Sequence, residues 1–189
     1  MFTRREFVGR GSAGVLTFVV AGCERRTMTP AAARDAGLDY RVLTDAEAAT
    51  LDALGELFVP GAREAGLSHY LDQQFAADPA EQMLMLRYLG GTPPYVDFYR
   101  AGLTALGETL AARDLAAVPD LDTETALTLA RQIASGAIDD WRGPPPGFWY
   151  FVLRSDAIDV VYGTREGFSR LGVPYMAHIE PPEPEWRGG

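Results

Sequence analysis

The sequence predicts an all-α protein, a single irregular helical bundle of about six helices followed by an extended C-terminal segment rich in Pro and Gly. Three observations support this prediction. Apolar residues recur at helical spacing through the middle of the chain, no alternation typical of strands is found, and Gly or Pro separates the periodic segments. The 189 residues, 47% of them hydrophobic and 23% charged, suffice for one domain with one core.

The first two helices are predicted from caps and breakers. A capping box of Thr44 and Glu47 begins the first helix, and Pro60-Gly61 ends it. A second helix is expected over about residues 62–76. The residues expected to face inward are Leu51, Leu54, Leu57, Phe58, Leu67, Tyr70, Leu71 and Phe75.

Three further helices are predicted over about residues 79–89, 94–114 and 123–135. The middle one has the strongest periodicity in the chain, with an apolar residue at i, i+4, i+7 and i+11. Those four residues are Tyr99, Leu103, Leu106 and Leu110.

The sixth helix follows a Pro-rich hinge at residues 143–147 and begins with six apolar residues, Phe148 to Leu153. Taken alone, this run is compatible with a buried strand. Because apolar residues continue to Val161, the segment is long for a strand, and a mostly buried helix is favoured. Beyond Tyr162 the chain is expected to be irregular, with a polyproline II end near Trp186.

A targeting segment is predicted at the N-terminus. Arg4, Arg5 and Phe7 stand in an order typical of a twin-arginine export signal, and a weakly apolar stretch follows. The twelve residues from Gly11 to Gly22 would span about 18 Å as a helix, too little for a ~30 Å hydrocarbon core. The alternative is an ordinary Sec leader that contains adjacent arginines.

Cys23 is the only cysteine, and with the three residues before it the sequence resembles a bacterial lipobox. Lipid attachment there would remove a solitary thiol from an oxidising compartment. The alternative is cleavage after Ala33, which would discard Cys23. We expect a periplasmic, lipid-anchored protein. Its predicted parts are a signal peptide (residues 1–22), a tether (23–42), a helical domain (43–180) and a Pro-rich tail (181–189).

The charge of the chain excludes one class of partner. All 17 cationic side chains are arginines, and 26 acidic residues bring the formal net charge to −9. Nucleic acid is bound by clustered cations. Because these arginines are scattered and outnumbered, no nucleic-acid partner is expected.

Metal ligands are scarce, since the chain has only two histidines, His69 and His178. His69 and Asp72 are spaced i, i+3 on a predicted helix and in principle share a cation. The favoured interpretation is a partly exposed histidine near a carboxylate. Neither H-E-x-x-H nor C-x-x-C-H occurs, so zinc peptidases and c-type haem proteins have no support.

Carboxylate pairs are the remaining candidates for chemistry. Asp156 and Asp159 are one helical turn apart, and we interpret them, like adjacent Asp139 and Asp140, as part of a solvated face. One alternative function is a small helical enzyme that uses His178 with Asp156 or Asp159. Another is a free-standing lipoprotein that binds a small apolar ligand. We expect no catalytic, cofactor-binding or metal site in this chain.

Two regions of the chain carry the motifs of a known family. They comprise residues 43–61, 62–67 and 70–75 near the start, and residues 148–149, 162–164, 166–168 and 171–179 near the end. Together with the leader, these motifs resemble the gluconate 2-dehydrogenase subunit 3 family. Twin-arginine export carries folded proteins, and its usual passengers contain a cofactor. Because this chain has the signal but no visible cofactor site, a partner that binds its own cofactor and is exported together with this chain would explain the signal.

The resemblance implies a small subunit without a cofactor of its own, attached to a periplasmic, FAD-dependent dehydrogenase of the glucose-methanol-choline type. In such a complex the small subunit aids the maturation and export, through the twin-arginine translocase, of the FAD-bearing subunit. The resemblance also implies a multihaem cytochrome c that passes electrons to the respiratory chain.

Aromatic residues near the C-terminus are the candidates for docking on that partner, because aromatics in a desolvated patch supply much of an interface's energy. The alternative for residues 148–153 is an ordinary core segment. For His178, an interface or structural hydrogen bond is favoured over a role as catalytic base. The candidate interface residues are Phe148, Trp149, Phe151, Tyr175, Met176, His178 and Trp186.

Overall fold

The computed structural model describes residues 16–20 and 24–173 of the chain. Helices dominate these residues and confirm the predicted all-α class, and one small antiparallel hairpin is added. The hairpin strands are β1 (Leu16–Val20) and β2 (Glu24–Met28). The helices are α1 (Pro30–Asp35), α2 (Asp45–Phe58), α3 (Leu67–Ala76), α4 (Met85–Tyr88), α5 (Val96–Ala112), α6 (Thr123–Ser135), α7 (Pro146–Tyr162) and α8 (Arg165–Arg170), with a 3-10 turn at Val118–Asp120.

The predicted capping box begins α2 as expected. Thr44 Oγ1 accepts from the backbone N–H of Glu47 at 3.2 Å, and Glu47 Oε2 accepts from the backbone N–H of Thr44 at 2.8 Å. Glu47 also accepts from Arg100 Nε at 2.7 Å. The start of α2 is therefore joined to α5 by a half-buried ion pair.

Two predicted helices are shorter in the structure. Residues 62–66 form a turn, and α3 begins only at Leu67, because Gly66 adopts a left-handed conformation with φ of 83°. A Cβ at Gly66 would lie 2.4 Å from the backbone oxygen of Pro30, so glycine permits α1 to approach closely. The predicted helix over residues 79–89 is reduced to α4, since Gln74 Oε1 binds the backbone N–H of Met83 instead.

The longest apolar segment forms α7 as predicted, with Pro146 in its first turn. The helix packs against α2, α3, α4, α5 and α6 and so lies at the centre of the fold. Trp149 is fully buried in the core. A Cβ at Gly102 would lie 2.0 Å from its indole Nε1, so the glycine of α5 makes room for the ring.

The N-terminal part differs from the predicted tether over residues 23–42. Strand β2 and helix α1 occupy much of it, and Pro30 and Ala33 of α1 are buried. Asp72 of α3 then accepts the backbone N–H groups of residues 41–43 at 2.8–3.1 Å. The tether prediction is wrong for these residues because side chains far along the sequence hold their backbone.

Two smaller differences lie at the ends of the described residues. Strand β1 occupies the end of the stretch that was assigned to the signal peptide, where no strand was expected. The chain after Tyr162 was expected to be irregular, but α8 forms there because Thr164 Oγ1 accepts from the backbone N–H of Gly167 at 3.0 Å. No helix within the described part of the chain combines the length and the apolar character needed to cross a membrane.

Candidate docking surface

The N-terminal half of helix α7 is apolar on both of its sides. Its inner side contributes Trp149, Val152 and Leu153, each with 0% exposure, to the core. Its outer side presents Phe148 and Phe151 to solvent, with 39% and 46% of their surface exposed. A surface helix normally carries polar residues on its outer side, and one that is apolar all round is either buried or an interface.

The exposed ring of Phe148 is supported by rings beneath it. The ring of Phe98, on α5, lies 5.5 Å from the ring of Phe148 in an edge-to-face arrangement and 5.8 Å from the ring of Tyr99. Phe98 itself is half-buried. We call Phe98, Phe148 and Phe151 the aromatic ridge. Because its base is packed on α5, the ridge is presented in a fixed position and loses little side-chain entropy on binding.

Trp149 was predicted to belong to the interface, and this is wrong. Its side chain is in the core beside Trp141, with the two ring centroids 5.6 Å apart. Consecutive residues on an α-helix are about 100° apart around the axis, so the neighbours of an exposed Phe148 point elsewhere. The core alternative for the run of residues 148–153 is thus correct for Trp149, Val152 and Leu153, whereas Phe148 and Phe151 are exposed.

Asp156 lies on the inner side of α7 with 0% exposure, so its assignment to a solvated face is wrong. Its Oδ1 accepts from the backbone N–H of Met85 at 2.8 Å, and its Oδ2 accepts from the hydroxyl of Tyr99. Burial raises the pKa of Asp156 to about 7. Both oxygens are engaged and closed off from solvent, so this carboxyl joins α7 to α4 and α5 and offers no acid to a substrate.

The other predicted acids remain at the surface. Asp159, one turn after Asp156, is exposed, as are Asp139 and Asp140. Partial burial raises the pKa of Asp159. Of the two acids considered as partners of His178 in an enzyme, Asp156 therefore lies in the core and Asp159 at the surface. The position of its predicted base, His178, is outside the described residues.

His69 and Asp72 serve the fold separately. His69 is buried with 7% exposure, which differs from the predicted partly exposed histidine, and its Nε2 is 3.1 Å from the backbone oxygen of Leu38. The carboxylate of Asp72 is occupied by backbone N–H groups. Among the described residues, no group of three His, Cys, Asp or Glu side chains is arranged to hold a metal ion.

A second apolar feature, not predicted from the sequence, lies where β1 crosses the body. It is a cleft of about 270 Å³. Met83 and Tyr88 at its edge have 39% and 68% of their surface exposed. The side chains that line this cleft include Leu16, Tyr70, Met83, Tyr88, Asp159 and Val160.

Several predicted site residues lie outside the described part of the chain. They belong to the predicted export signal, the lipidation site and the C-terminal interface, and those assignments stay predictions. The residues are Arg4, Arg5, Phe7, Cys23, Tyr175, Met176, His178 and Trp186.

The chain matches the model of a known family. The family model described as gluconate 2-dehydrogenase subunit 3 matches residues 45–178, a range that contains α2 to α8, the aromatic ridge and most of the cleft wall. The hairpin and α1 precede the matched range. No curated protein and no solved structure matches the chain.

Proposed function

The chain belongs to the gluconate 2-dehydrogenase subunit 3 family, and on this premise we propose that it is the non-catalytic small subunit of a periplasmic sugar or alcohol dehydrogenase. It binds the FAD-containing catalytic subunit, of the glucose-methanol-choline type, helps it mature and is exported together with it. The FAD belongs to that partner. A multihaem cytochrome c completes the complex and receives the electrons.

The observation that supports this proposal best is the outer side of α7. Phe148 and Phe151 expose large aromatic surfaces side by side on a helix whose other side is the centre of the core. Aromatic residues supply a large share of interface energy when a partner desolvates them. A protein that remained without a partner would leave this surface in water, where it promotes aggregation.

The way in which the ridge is fixed supports the same proposal. Trp149 fills the space above Gly102, and Asp156 binds both α4 and α5, so rotation of α7 would break contacts with two other helices. The ridge thus keeps its shape before a partner arrives. Preorganisation of this kind lowers the entropy lost on association.

Export is proposed from the sequence of the leader. Arg4, Arg5 and Phe7 direct the chain to the twin-arginine translocase, which accepts folded passengers, and Cys23 is lipidated after cleavage. The acyl chains then anchor the complex to the membrane on its periplasmic side. The intact mass of the exported chain tests this step, because a diacylated Cys23 and an N-terminus after Ala33 differ by many residues and by the lipid.

The test of the proposed function removes the ridge from the full chain. We expect Phe148→Ser with Phe151→Ser to lower the amount of active, FAD-loaded catalytic subunit in the periplasm at least about tenfold, as two lost aromatic anchors are worth more than 1.4 kcal/mol of binding. The measurement is dehydrogenase activity and bound flavin in the periplasmic fraction of a strain that makes both subunits.

Leu171→Ser is the matched control. Leu171 is 56% exposed and lies beyond the C-terminal end of α7, whereas the ridge lies near the N-terminal end. This variant should leave the periplasmic activity unchanged. If the catalytic subunit reaches the periplasm fully active when the small subunit is deleted, the proposed function is wrong.

A further inference from the structure

Strand β1 covers part of the body as an extended apolar segment. Leu16 and Phe18 point towards the protein and have only 9% and 7% exposure, whereas Thr17 between them is exposed. The backbone oxygen of Thr17 accepts from Gln73 Nε2 of α3 at 3.4 Å. The alternation along β1 shows what the surface accepts, namely an extended chain with apolar side chains at positions i and i+2.

The surface below β1 includes residues of other elements of the chain. Leu16 lines the cleft together with Tyr70 and Val160, and Phe18 lines a much smaller pocket together with Leu38 and His69. These four residues come from α3, α7 and the chain after α1. We call this surface, together with the edge of β2 that pairs with β1, the strand groove.

Strand β2 leads directly into α1, which is fixed to the body, and its Met28 packs against the core. Pro30 of α1 is buried and sits against Gly66, and Arg34 Nη1 donates to the backbone oxygen of Arg63 at 3.2 Å. β1 pairs with β2 in antiparallel register, from Leu16 opposite Met28 to Val20 opposite Glu24. Departure of β1 would leave β2 attached to the body through α1 and Met28, with an unpaired edge that is a template for another strand.

The position of β1 in the sequence suggests that it does depart. Residues 16–20 lie within the predicted signal peptide, and an export signal acts only when the translocase reaches it. Before export β1 is bound to the groove, and after cleavage before Cys23 it is lost. In both the exporting and the mature states, the strand groove needs another occupant, since it joins an apolar cleft to an open strand edge.

We propose that an extended strand of the catalytic subunit, with apolar side chains at i and i+2, displaces β1 and pairs with β2 in the strand groove. This proposal rests on the proposed function, since it identifies where that partner also binds. Its consequence is an order of events, because docking of the partner frees the leader for the translocase. Strand addition of this kind takes affinity from backbone hydrogen bonds and specificity from alternate side chains.

The chemistry of the groove favours this occupant over two others. Acyl chains of a lipid fill an apolar cleft but leave the N–H and C=O groups of the β2 edge without partners. Once β1 has been removed by cleavage, a second copy of this chain has β2 as its only strand in the described residues, and the β2 sequence Glu-Arg-Arg-Thr-Met lacks two apolar residues at i and i+2. A strand from a different polypeptide satisfies both requirements.

The test compares three full-length chains in their affinity for the catalytic subunit. In Leu16→Asp with Phe18→Asp, two buried charges force β1 out of the groove, so the partner no longer competes with it. We expect this variant to bind the catalytic subunit at least about tenfold more tightly than the wild-type chain. Thr17→Asp is the matched control, because Thr17 is exposed, and it should bind as the wild type does.

Hydrogen exchange on the wild-type chain gives a second measurement that does not depend on the folding of a variant. At saturating catalytic subunit, we expect the amides of residues 16–20 to lose protection while those of residues 24–28 stay protected. A synthetic peptide of residues 14–20 should compete with the catalytic subunit for the double variant, and the same peptide with Phe18→Asp should not.

The outcomes separate the inference from the proposed function. Equal affinity of all three chains, or residues 16–20 that keep their protection in the saturated complex, would overturn the inference and leave the proposed function standing. If none of the three chains binds the catalytic subunit, the proposed function is wrong and the inference fails with it.

Discussion

The two sides of α7 have opposite relations to the rest of the molecule. On the inner side, the ring of Trp149 packs against Gly102. The carboxyl of Asp156 accepts hydrogen bonds from the Tyr99 hydroxyl and from the backbone N–H of Met85. On the outer side, Phe148 and Phe151 extend past their neighbours into solvent. A helix whose inner side is held by close packing and hydrogen bonds can therefore expose apolar side chains on its outer side and keep its position. Stability and recognition should therefore respond to different substitutions on the same helix.

The largest effect is expected from the inner side. Replacing Trp149 by alanine should lower the free energy of unfolding by about 3–5 kcal/mol, because a fully buried indole is lost and a cavity remains. Denaturant unfolding followed by circular dichroism measures this change. The matched substitution on the outer side, Phe151→Ala, should cost far less, and an equal cost would contradict the division between the two sides.

The space above Gly102 provides a second check of the inner side. Gly102→Ala places a Cβ 2.0 Å from the present position of Trp149 Nε1 and should lower the free energy of unfolding by about 1–3 kcal/mol. In the Trp149→Ala protein the same substitution meets an empty cavity and should cost almost nothing. Additive costs in the double variant would show that the two residues do not share this contact.

The next effect is a pH dependence that belongs to Asp156. Burial raises its pKa from 3.8 in the unfolded chain to about 7 in the folded protein, so between these values the native state holds a proton that the unfolded state has released. The free energy of unfolding should therefore fall as the pH rises from about 4 to about 7, by up to about 4 kcal/mol, and level off above that. Asp156→Asn should flatten this slope, as measured by denaturant unfolding across the pH range.

Controls for this pH dependence come from other carboxyls. Asp140 is exposed, so Asp140→Asn should leave the slope as in the wild type. Burial also raises the pKa of Asp52 and of Asp159, and these groups contribute with the same sign. Asp156→Asn should therefore retain a smaller residual slope. An unchanged slope would show that Asp156 does not carry the pH dependence.

The helices that the sequence predicted well are those with local signals. The capping box of Thr44, the apolar series of α5 and the Pro-rich start of α7 each specify an element through neighbouring residues. Two helices were predicted too long because distant contacts override propensity there. Gly66 adopts a left-handed conformation where α1 approaches closely, and Gln74 Oε1 accepts from the backbone N–H of Met83 before α4.

The sequence located the candidate docking surface on the right helix, but it did not show which of its residues are exposed. Helical spacing indicates that Phe148 and Trp149 point in different directions, yet which of them faces the core depends on the gap at Gly102, which no local pattern reveals. Burial of Asp156 likewise depends on Tyr99 and Met85 in other elements. The strand groove was missed because the alternation in β1 covers only five residues inside a leader-like stretch.

The smallest effect on stability is expected from substitutions on the outer side of α7, which leave the inner side unchanged. Phe151→Ser should lower the free energy of unfolding by only about 1 kcal/mol, since about half of its side chain is already exposed. Phe148→Ser should cost somewhat more, because it also loses the edge-to-face contact with Phe98 at 5.5 Å. Denaturant midpoints of the single variants measure both values.

These small values make the binding experiment interpretable. If Phe151→Ser leaves the folded state intact while the affinity for the catalytic subunit drops, the loss is one of contact and not of folding. A loss of more than about 2 kcal/mol of stability in Phe151→Ser would instead place that side chain in the core. The outer side of α7 would then belong to the core like its inner side, and the aromatic ridge would no longer be a candidate docking surface.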